Sequence, residues 1–280
     1  MSLSDIEWLA LVAKSYLQPP VPFRDTTLPG FPPDQIQTNT TGDAGLKTLT
    51  EAFIFYEDCA AQFRRLGRPL GRDSALLDFG VGWGRIARFF LKDVAAQNIF
   101  GIDVSPEMIE ICRQTWRSNN FIVTNPFPPT PIPDARFDFI TGYSVFSHLS
   151  EQACAAWMDE FHRILRPNGI VALTTRSRQF LDVCEALKQQ NVTGYAKAMS
   201  EIFGDFDAAR ERYDRGEFVH SNIDGVSGGG AMNASFYGET FIPEEYARTA
   251  YAEKFHLETF LYDPARQTHP IMVFSKKSDV

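Results

Sequence analysis

An acidic residue followed by three alternating glycines is the feature of this 280-residue sequence that could bind a nucleotide-type cofactor. Asp78 ends an apolar run, and Gly80, Gly82 and Gly84 follow it at two-residue spacing. Glycine has no Cβ atom, so such a turn can take positive φ angles and lets the backbone approach a ligand closely. A helix that begins after the turn would also direct unpaired N–H groups toward the ligand. We therefore expect a cofactor loop here.

A second acidic residue, Asp103, ends another short apolar run downstream of the glycines. A carboxylate at the end of the second strand of a nucleotide-binding sheet can accept hydrogen bonds from both vicinal hydroxyl groups of a ribose. Ser105 and Pro106, which suit a helix N-cap and first turn, follow it. The alternative is a solvated strand end or a partner of the helix dipole. The distance from the glycine loop favours a ribose ligand.

Short apolar runs around these motifs predict the parallel strands that would position them. Four runs have the length of buried strands, and they lie at 75–79, 99–102, 121–124 and 137–140. Residues 86–90 and 153–164 carry apolar side chains at three- and four-residue spacing, which predicts a helix directly after the glycines and another after the fourth strand. Alternating strands and helices are typical of an α/β fold.

The order of these motifs resembles the class I S-adenosylmethionine-dependent methyltransferases. Asp78 and the glycines give D-x-G-x-G-x-G, which is similar to the first motif of that family, and the resemblance extends from Ala75 to Thr175. L-R-P-N-G at 165–169 is similar to the family's L-x-P-G-G turn, with Asn168 in place of one glycine. The resemblance implies an enzyme with S-adenosylmethionine as cofactor. It also implies that Asp78 helps to hold the methionine ammonium group.

The resemblance assigns two further residues to the cofactor. In many relatives an acid after the third strand accepts a hydrogen bond from the adenine amine, and Asn125 stands at that place here. An amide oxygen can accept the same bond, although Asn125 could instead cap the turn at Pro126. Tyr143 follows the fourth strand, where such enzymes place residues beside the sulfonium and the substrate. We assign Tyr143 to both cofactor binding and catalysis.

His148 is the leading candidate for a general base, which an acceptor needs if it must lose a proton. Imidazole titrates near neutral pH, and His148 follows the fourth strand by a few residues. A structural histidine that caps the next helix or packs on Phe146 explains the same position. Tyr143, His220 and Glu239 are weaker alternatives for the base.

Two other functions remain open. The frame G-W-G-R-I-A from Gly82 also satisfies the dinucleotide fingerprint of an NAD-dependent oxidoreductase, although Asp78 disfavours it. A catalytically silent S-adenosylmethionine-binding protein would carry the same glycine loop. No NPPY-like tetrapeptide follows the fourth strand, which disfavours relatives that methylate amides or adenine amines.

The expected architecture is a Rossmann-like, doubly wound, seven-stranded sheet with an antiparallel last strand. Residues 1–73 predict a helical N-terminal cap region, and residues 74–280 the methyltransferase domain, with an insertion at about 179–242 before strand six. Within the insertion we expect helices up to residue 217, then a long mobile loop in which Gly228–Gly230 forms a hinge or lid. The first helix is expected to be amphipathic, with the apolar stripe Ile6, Leu9, Ala10, Ala13 and Leu17. A second helix from Leu46 is expected to carry one apolar face, formed by Leu49, Phe53, Tyr56, Ala60 and Phe63.

Composition limits the partners. The net charge of −8 disfavours a nucleic-acid substrate, which would need a basic track. Four scattered cysteines and five scattered histidines show no metal-ligand spacing, so we predict no metal. Neither a signal peptide nor a membrane span is expected, which favours a cytoplasmic protein. The predicted partner is a small-molecule methyl acceptor. Its identity, the choice among O-, N- and C-methylation, and the oligomeric state do not follow from the sequence.

Overall fold

A computed structural model describes residues 3–223, 225–226 and 232–278 of the chain. Its elements before the first sheet strand are α1 (Asp5–Leu17), β1 (Pro22–Phe23), β2 (Thr26–Thr27), α2 (Asp34–Thr41) and α3 (Leu46–Arg65). The next are β3 (Leu76–Phe79), β4 (Ile99–Asp103), α4 (Pro106–Trp116), β5 (Phe121–Val123), β6 (Phe137–Gly142), α5 (Glu151–Ile164) and β7 (Leu165–Thr174). The last are α6 (Arg178–Ala186), α7 (Gly194–Glu201), α8 (Phe206–Asp214), β8 (Val219–Ser221), β9 (Glu239–Phe241), α9 (Glu244–Ala250), β10 (Phe255–Leu261) and β11 (Ile271–Lys276).

Seven strands form the main sheet in the order β10-β11-β7-β6-β3-β4-β5. β3 pairs in parallel with β4 and β6, and β4 pairs in parallel with β5. β11 runs antiparallel to both β7 and β10. The predicted seven-stranded α/β sheet with an antiparallel last strand is therefore confirmed.

The parallel pairing of β3 with β4 places the two acidic motifs next to each other, at the carboxyl ends of these strands. Asp78 pairs with Gly101, and Phe79 pairs with Ile102. After β3 ends, the backbone N–H groups of Gly80 and Val81 still donate to the carbonyl oxygen of Ile102. The glycine loop therefore starts beside the end of β4.

The helix predicted directly after the glycines is a short 3-10 helix, Ala87–Lys92, rather than an α-helix. Every side chain from Ala87 to Leu91 is buried, including the guanidinium of Arg88. An α-helix with one apolar face cannot bury consecutive side chains on all of its sides against a single neighbour. The predicted helix is therefore present, but its 3-10 type did not follow from the apolar spacing.

The N-terminal helix α1 buries a different face from the predicted one. Its buried residues are Trp8, Val12 and Ser15, whereas Ile6 is 79% exposed and Leu17 is 63% exposed. The Trp8 indole N–H donates to the carbonyl oxygen of Phe89 at 2.9 Å, so the largest side chain fixes the rotation of the helix. The predicted stripe was wrong. In α3, by contrast, the predicted face is buried at Leu49, Phe53, Tyr56 and Phe63.

The insertion contains three helices and a short antiparallel ladder. Helices α6, α7 and α8 confirm the helical prediction up to residue 217. The predicted loop from residue 220 onward is shorter than expected, because β8 pairs with β9 and joins its two ends. Phe206 and Phe241 belong to a buried cluster with Leu181 and Met199, so these aromatic residues form a second small core. The predicted hinge at Gly228–Gly230 lies outside the described residues.

The chain groups into two compact units. The first runs up to Thr124 and includes Phe137–Thr141 and Ala265–Thr268. The second contains Asn125–Arg136, Gly142–Pro264 and the chain from His269 onward. The predicted boundary between residues 73 and 74 stays a prediction. Among the described residues, no helix combines the length and apolar character that crossing a bilayer requires.

Candidate functional site

The glycine loop has the backbone conformation that its sequence predicts. Gly80, Gly82 and Gly84 take φ angles of +69°, +51° and +80°. A Cβ atom at Gly82 would meet nothing within 4 Å, whereas a Cβ atom at Gly84 would lie 2.5 Å from Nε1 of Trp116. Gly84 is therefore required by packing against α4. Gly82 instead borders open space, into which a side chain would project.

The Asp103 carboxylate lies against the glycine loop. Its Oδ2 accepts a hydrogen bond from the backbone N–H of Gly82 at 2.9 Å, and its Oδ1 accepts from the N–H of Ser105 at 2.9 Å. Burial raises the pKa of Asp103, and these backbone hydrogen bonds act against that rise. Each carboxylate oxygen has a second lone pair, so the group can still accept from a diol. The structure thus brings Asp103 and Gly82 together, and the predicted binding of a ribose by Asp103 stays a prediction.

Asp78 supports the loop from inside the protein. It is 1% exposed, and its Oδ2 accepts a hydrogen bond from the N–H of Ala87 at 3.0 Å. Burial raises the pKa of Asp78 to about 8, against the lowering effects of the Ala87 hydrogen bond and the Arg85 charge. This hydrogen bond connects the end of β3, before the glycines, to the start of the helix that follows them. The predicted contact of Asp78 with a methionine ammonium group stays a prediction.

A buried arginine links the N-terminal region to the glycine loop. The Arg88 guanidinium donates to the carbonyl oxygens of Pro29, Gly30 and Gly84 at 3.3, 3.1 and 3.2 Å. It also stacks over the ring of Phe31 at 3.8 Å. Burial lowers the pKa of Arg88 to about 9. Sequence reasoning missed Arg88, because an arginine within an apolar run is usually assigned to a solvated face.

Asn125 and Tyr143 belong to the second compact unit. Asn125 is exposed just after β5. Tyr143 is half-buried, and its ring centroid lies 5.4 Å from that of His269. Their predicted roles in cofactor binding stay predictions.

The second unit also contains a cluster of polar side chains around Glu239. Glu239 has a fully buried side chain, and its Oε1 lies 3.1 Å from Nδ1 of His148. The Tyr195 hydroxyl donates to the same oxygen at 2.6 Å, and Nε of Arg176 donates to Oε2 at 2.8 Å. Burial alone would raise the pKa of Glu239, but the charges of His148 and Arg176 outweigh it and lower the pKa to about 2. Glu239 is therefore an ionised carboxylate that holds three side chains.

These contacts determine the orientation and the tautomer of His148. Its Nδ1 lies 2.8 Å from the carbonyl oxygen of Gly238, as well as close to Glu239. Both neighbours accept hydrogen bonds, so Nδ1 carries the proton and Nε2 keeps a free lone pair in the neutral ring. The ring stacks on Tyr237 with an interplanar angle of 5°. Nε2 lies 3.5 Å from Oγ of Ser144, the limit of a hydrogen bond.

The backbone near His148 is strained where the cluster is formed. Ser144 has a φ angle of +58°, and its N–H donates to Oγ1 of Thr174 at 2.7 Å. A non-glycine residue in this conformation costs about 1–3 kcal/mol and is often found at functional sites. The Ser144 hydroxyl oxygen lies 3.3 Å from Oγ of Ser147 and 3.5 Å from Nε2 of His148.

His220 stabilises the strand that carries Glu239. Its Nδ1 lies 2.7 Å from Oγ1 of Thr240, whose hydroxyl donates to the carbonyl oxygen of Leu149 at 2.7 Å. The Thr240 oxygen thus accepts from Nδ1 of His220. Burial lowers the pKa of His220, which keeps the ring neutral. His220 therefore positions β9.

Two members of the cluster were missed in the sequence. Arg176 and Tyr195 lie 63 and 44 residues before Glu239, and no spacing rule connects them to it. Glu239 itself was named only as a weak alternative. Within the part of the chain that the structure describes, no group of three or more His, Cys, Asp or Glu side chains could hold a metal ion.

Residues 76–169 match a family model described as a methyltransferase domain. The malonyl-[acyl-carrier protein] O-methyltransferase of Enterobacter lignolyticus (strain SCF1) is 30% identical over 110 residues, which cover 38% of this chain and 41% of that protein. The demethylmenaquinone methyltransferase of Chlorobaculum tepidum is 25% identical over 144 residues, which cover 51% of this chain and 56% of that one. The chain thus spans about half the length of these curated relatives.

A solved structure from Rhodobacter sphaeroides, described as "Putative Zn-dependent Alcohol Dehydrogenases", has a TM-score of 0.51 to this chain. The match covers 82% of this chain and 98% of that one at 13% identity. At this identity the likeness concerns the fold alone.

Proposed function

Because residues 76–169 form a methyltransferase domain of the class I S-adenosylmethionine-dependent family, we propose that this chain methylates a small-molecule acceptor. The predicted family, and S-adenosylmethionine as the cofactor of that family, are confirmed for this domain. The curated relatives are distant, so the activity and the acceptor of the whole chain are part of the proposal.

The observation that carries the proposal is the open space at Gly82 beside the Asp103 carboxylate. A Cβ atom would project into this space, and the carboxylate can accept two hydrogen bonds from a ribose diol. When bound there, S-adenosylmethionine supplies a methyl group on a positively charged sulfur. The residues that we propose to hold it are Asp78, Gly80, Gly82, Gly84, Asp103, Asn125 and Tyr143.

We further propose that His148 acts as the general base. Its Nε2 lone pair has no strong hydrogen-bond partner among the described residues, and its side chain is only 12% exposed. Glu239 holds Nδ1–H and stabilises the imidazolium that forms when Nε2 takes a proton from the acceptor. With S-adenosylmethionine bound, the deprotonated acceptor atom would take the methyl group, and the sulfur would keep the electron pair of the S–C bond. Apart from proton removal, the protein acts by orienting the acceptor and excluding water.

Calorimetric binding of S-adenosylhomocysteine tests the cofactor site. Gly82→Val should weaken binding at least about tenfold, because the new side chain would fill the open space. Gly67→Val is the matched control, since Gly67 has a φ angle of +73° and also borders open space. We expect near-normal affinity in that variant. A folded Gly82→Val variant with wild-type affinity would remove the site from this loop.

A second experiment separates catalysis from silent binding. Labelled methyl should pass from S-adenosylmethionine into a fractionated small-molecule extract, with Gly82→Val as the blank. A protein that binds the cofactor and labels no fraction would be a silent binding protein. A protein that ignores the cofactor and binds NADH would be an oxidoreductase instead.

A further inference from the structure

The buried Glu239 carboxylate binds a potential proton acceptor, His148, with one oxygen and a cation, Arg176, with the other. His148 contacts Oε1 of Glu239 through Nδ1, and Arg176 contacts Oε2 through Nε. Both side chains are nearly buried, at 12% and 11% exposure. Because one rigid carboxylate holds both, a proton acceptor and a cationic donor are kept in a fixed relation to each other.

The Arg176 guanidinium has hydrogen-bonding capacity that the protein does not use. Nε donates to Glu239, and Nη2 donates to the Tyr195 hydroxyl at 3.3 Å. Nη1 makes no hydrogen bond to any residue in the described part of the chain. The guanidinium also stacks over the Phe180 ring at 4.4 Å, which fixes its plane. Free N–H groups on a positioned guanidinium are suited to a carbonyl oxygen or an oxyanion.

The charge of the cluster favours a neutral acceptor. With neutral His148, the charges of Arg176 and Glu239 cancel. An acceptor that arrives as a carboxylate would add an uncompensated negative charge to a nearly buried site. A neutral acceptor that gives its proton to His148 becomes an anion beside a new imidazolium, so the total charge of the cluster and the acceptor stays zero.

We propose that the acceptor of this site, if the chain is the methyltransferase proposed above, is a neutral molecule with a hydroxyl group conjugated to a carbonyl group. An enol of a dicarbonyl compound and a hydroxyaryl ketone are examples. The hydroxyl group donates to Nε2 of His148, and the carbonyl oxygen accepts from Arg176. Conjugation spreads the charge left by proton removal onto the carbonyl oxygen, where the guanidinium stabilises it. The product is then an O-methyl ether.

The test compares three probes that differ in one group: 4-hydroxyacetophenone, 4-ethylphenol and 4-hydroxybenzoate. Equilibrium dialysis gives the affinity of the full chain for each. We expect the ketone to bind about tenfold more tightly than the ethylphenol, which is the size of one charge-assisted hydrogen bond. The carboxylate should bind more weakly than the ketone. The absorbance of the bound ketone should also show ionisation of its hydroxyl group at lower pH than in solution.

Substitution of Arg176 decides whether this preference comes from the cluster. Arg176→Met should reduce the ketone-to-ethylphenol ratio to near one, and Arg176→Lys should reduce it in part, because lysine keeps the charge but lacks the planar donors. Arg178→Met is the matched control, since Arg178 pairs with Asp214 at the surface. If Arg176→Met does not fold, Arg176→Lys carries the test.

Three results would overturn the proposal: no binding or no ketone preference in the wild type, tighter binding of the carboxylate, or a preference that Arg176 variants retain. Calorimetric titration of the same preparations with S-adenosylhomocysteine measures cofactor binding separately, and so distinguishes a failure of the acceptor proposal from a failure of the methyltransferase proposal. Loss of ketone preference with normal cofactor binding contradicts the acceptor class alone, whereas absent cofactor binding contradicts the methyltransferase function.

Discussion

At the scale of single residues, the charge of Glu239 decides whether the second polar cluster holds together. The carboxylate is fully buried, yet it stays ionised because His148 and Arg176 surround it. Removal of one partner from a buried ion pair leaves the other charge uncompensated. The cluster therefore depends on Glu239 more than on any one of the side chains that Glu239 binds.

We expect Glu239→Gln to lower the free energy of unfolding by about 3–5 kcal/mol, because Arg176 would keep a buried charge without its carboxylate. The pKa of Glu239 is lowered to about 2 in the folded protein, from about 4 in an unfolded chain. Its contribution is therefore fully present above pH ~4 and is lost as the pH falls toward 2. Urea denaturation should show the difference between wild type and variant shrinking across that range.

Glu217→Gln provides the control for this measurement. Glu217 also pairs with two arginines, Arg212 and Arg215, but at the surface. Its loss should change the free energy of unfolding by less than about 1 kcal/mol. Equal losses at both positions would mean that the buried cluster contributes no special stability.

Sequence spacing predicted the contacts of the first site better than those of the second. The first site lies at the carboxyl ends of two neighbouring parallel strands: Asp78 is in β3, Asp103 ends β4, and the glycines directly follow β3. Because paired parallel strands end on the same side of a sheet, the strand prediction already indicates that these residues are close. Arg176, Tyr195 and Glu239 meet only because a strand from the insertion pairs and packs within the second unit. Such contacts have no local pattern, which is why only Glu239 was named in advance.

At the scale of elements, the turn after β3 packs closely against helix α4, and Gly84 leaves no room there for a side chain. A Cβ atom at Gly84 would lie 2.5 Å from Nε1 of Trp116, and the φ angle of +80° already disfavours any side chain. Trp116 ends α4 and packs on Phe121 of β5. The glycine loop, α4 and β5 are thus one packed group.

We expect Gly84→Ala to cost about 2–4 kcal/mol of unfolding free energy, the sum of a left-handed backbone penalty and an overpacked contact. Gly67→Ala is the control, because Gly67 has φ +73° and borders open space, so it should cost only about 1 kcal/mol. Chemical denaturation of both variants measures the difference. Equal costs would show that Trp116 moves aside without penalty.

Two elements were predicted less well than α3: the type of helix after the glycines and the buried face of α1. A single apolar stripe predicted α3 correctly, because α3 buries one face. The segment Ala87–Lys92 buries nearly all of its side chains, so its periodicity carried no information on the type of helix. In α1, the large side chain of Trp8 and its indole hydrogen bond determine the buried face. The longer stripe of smaller apolar residues, from Ile6 to Leu17, is on a different face of the helix.

At the scale of the whole chain, the number of strands and the direction of the last strand were predictable, whereas the packing of the N-terminal region was not. The strand pattern and the family resemblance together gave seven strands with an antiparallel member. The attachment of the N-terminal region depends instead on buried polar contacts. Arg88 binds the segment at Pro29 and Gly30, and Arg85 binds the Thr48 carbonyl oxygen and Glu51 of α3.

We expect Arg88→Met to loosen the N-terminal segment from the glycine loop, because three carbonyl oxygens lose their donor and Phe31 loses its stacked cation. Limited proteolysis should then cleave residues 18–33 faster than in the wild type, and S-adenosylhomocysteine affinity should fall about three- to tenfold as the loop becomes less ordered. Arg72→Met is the control, since Arg72 pairs with Asp25 of the same segment at the surface. If both variants resist protease equally and bind the ligand equally, the N-terminal region is packed on the loop without contributing to its order.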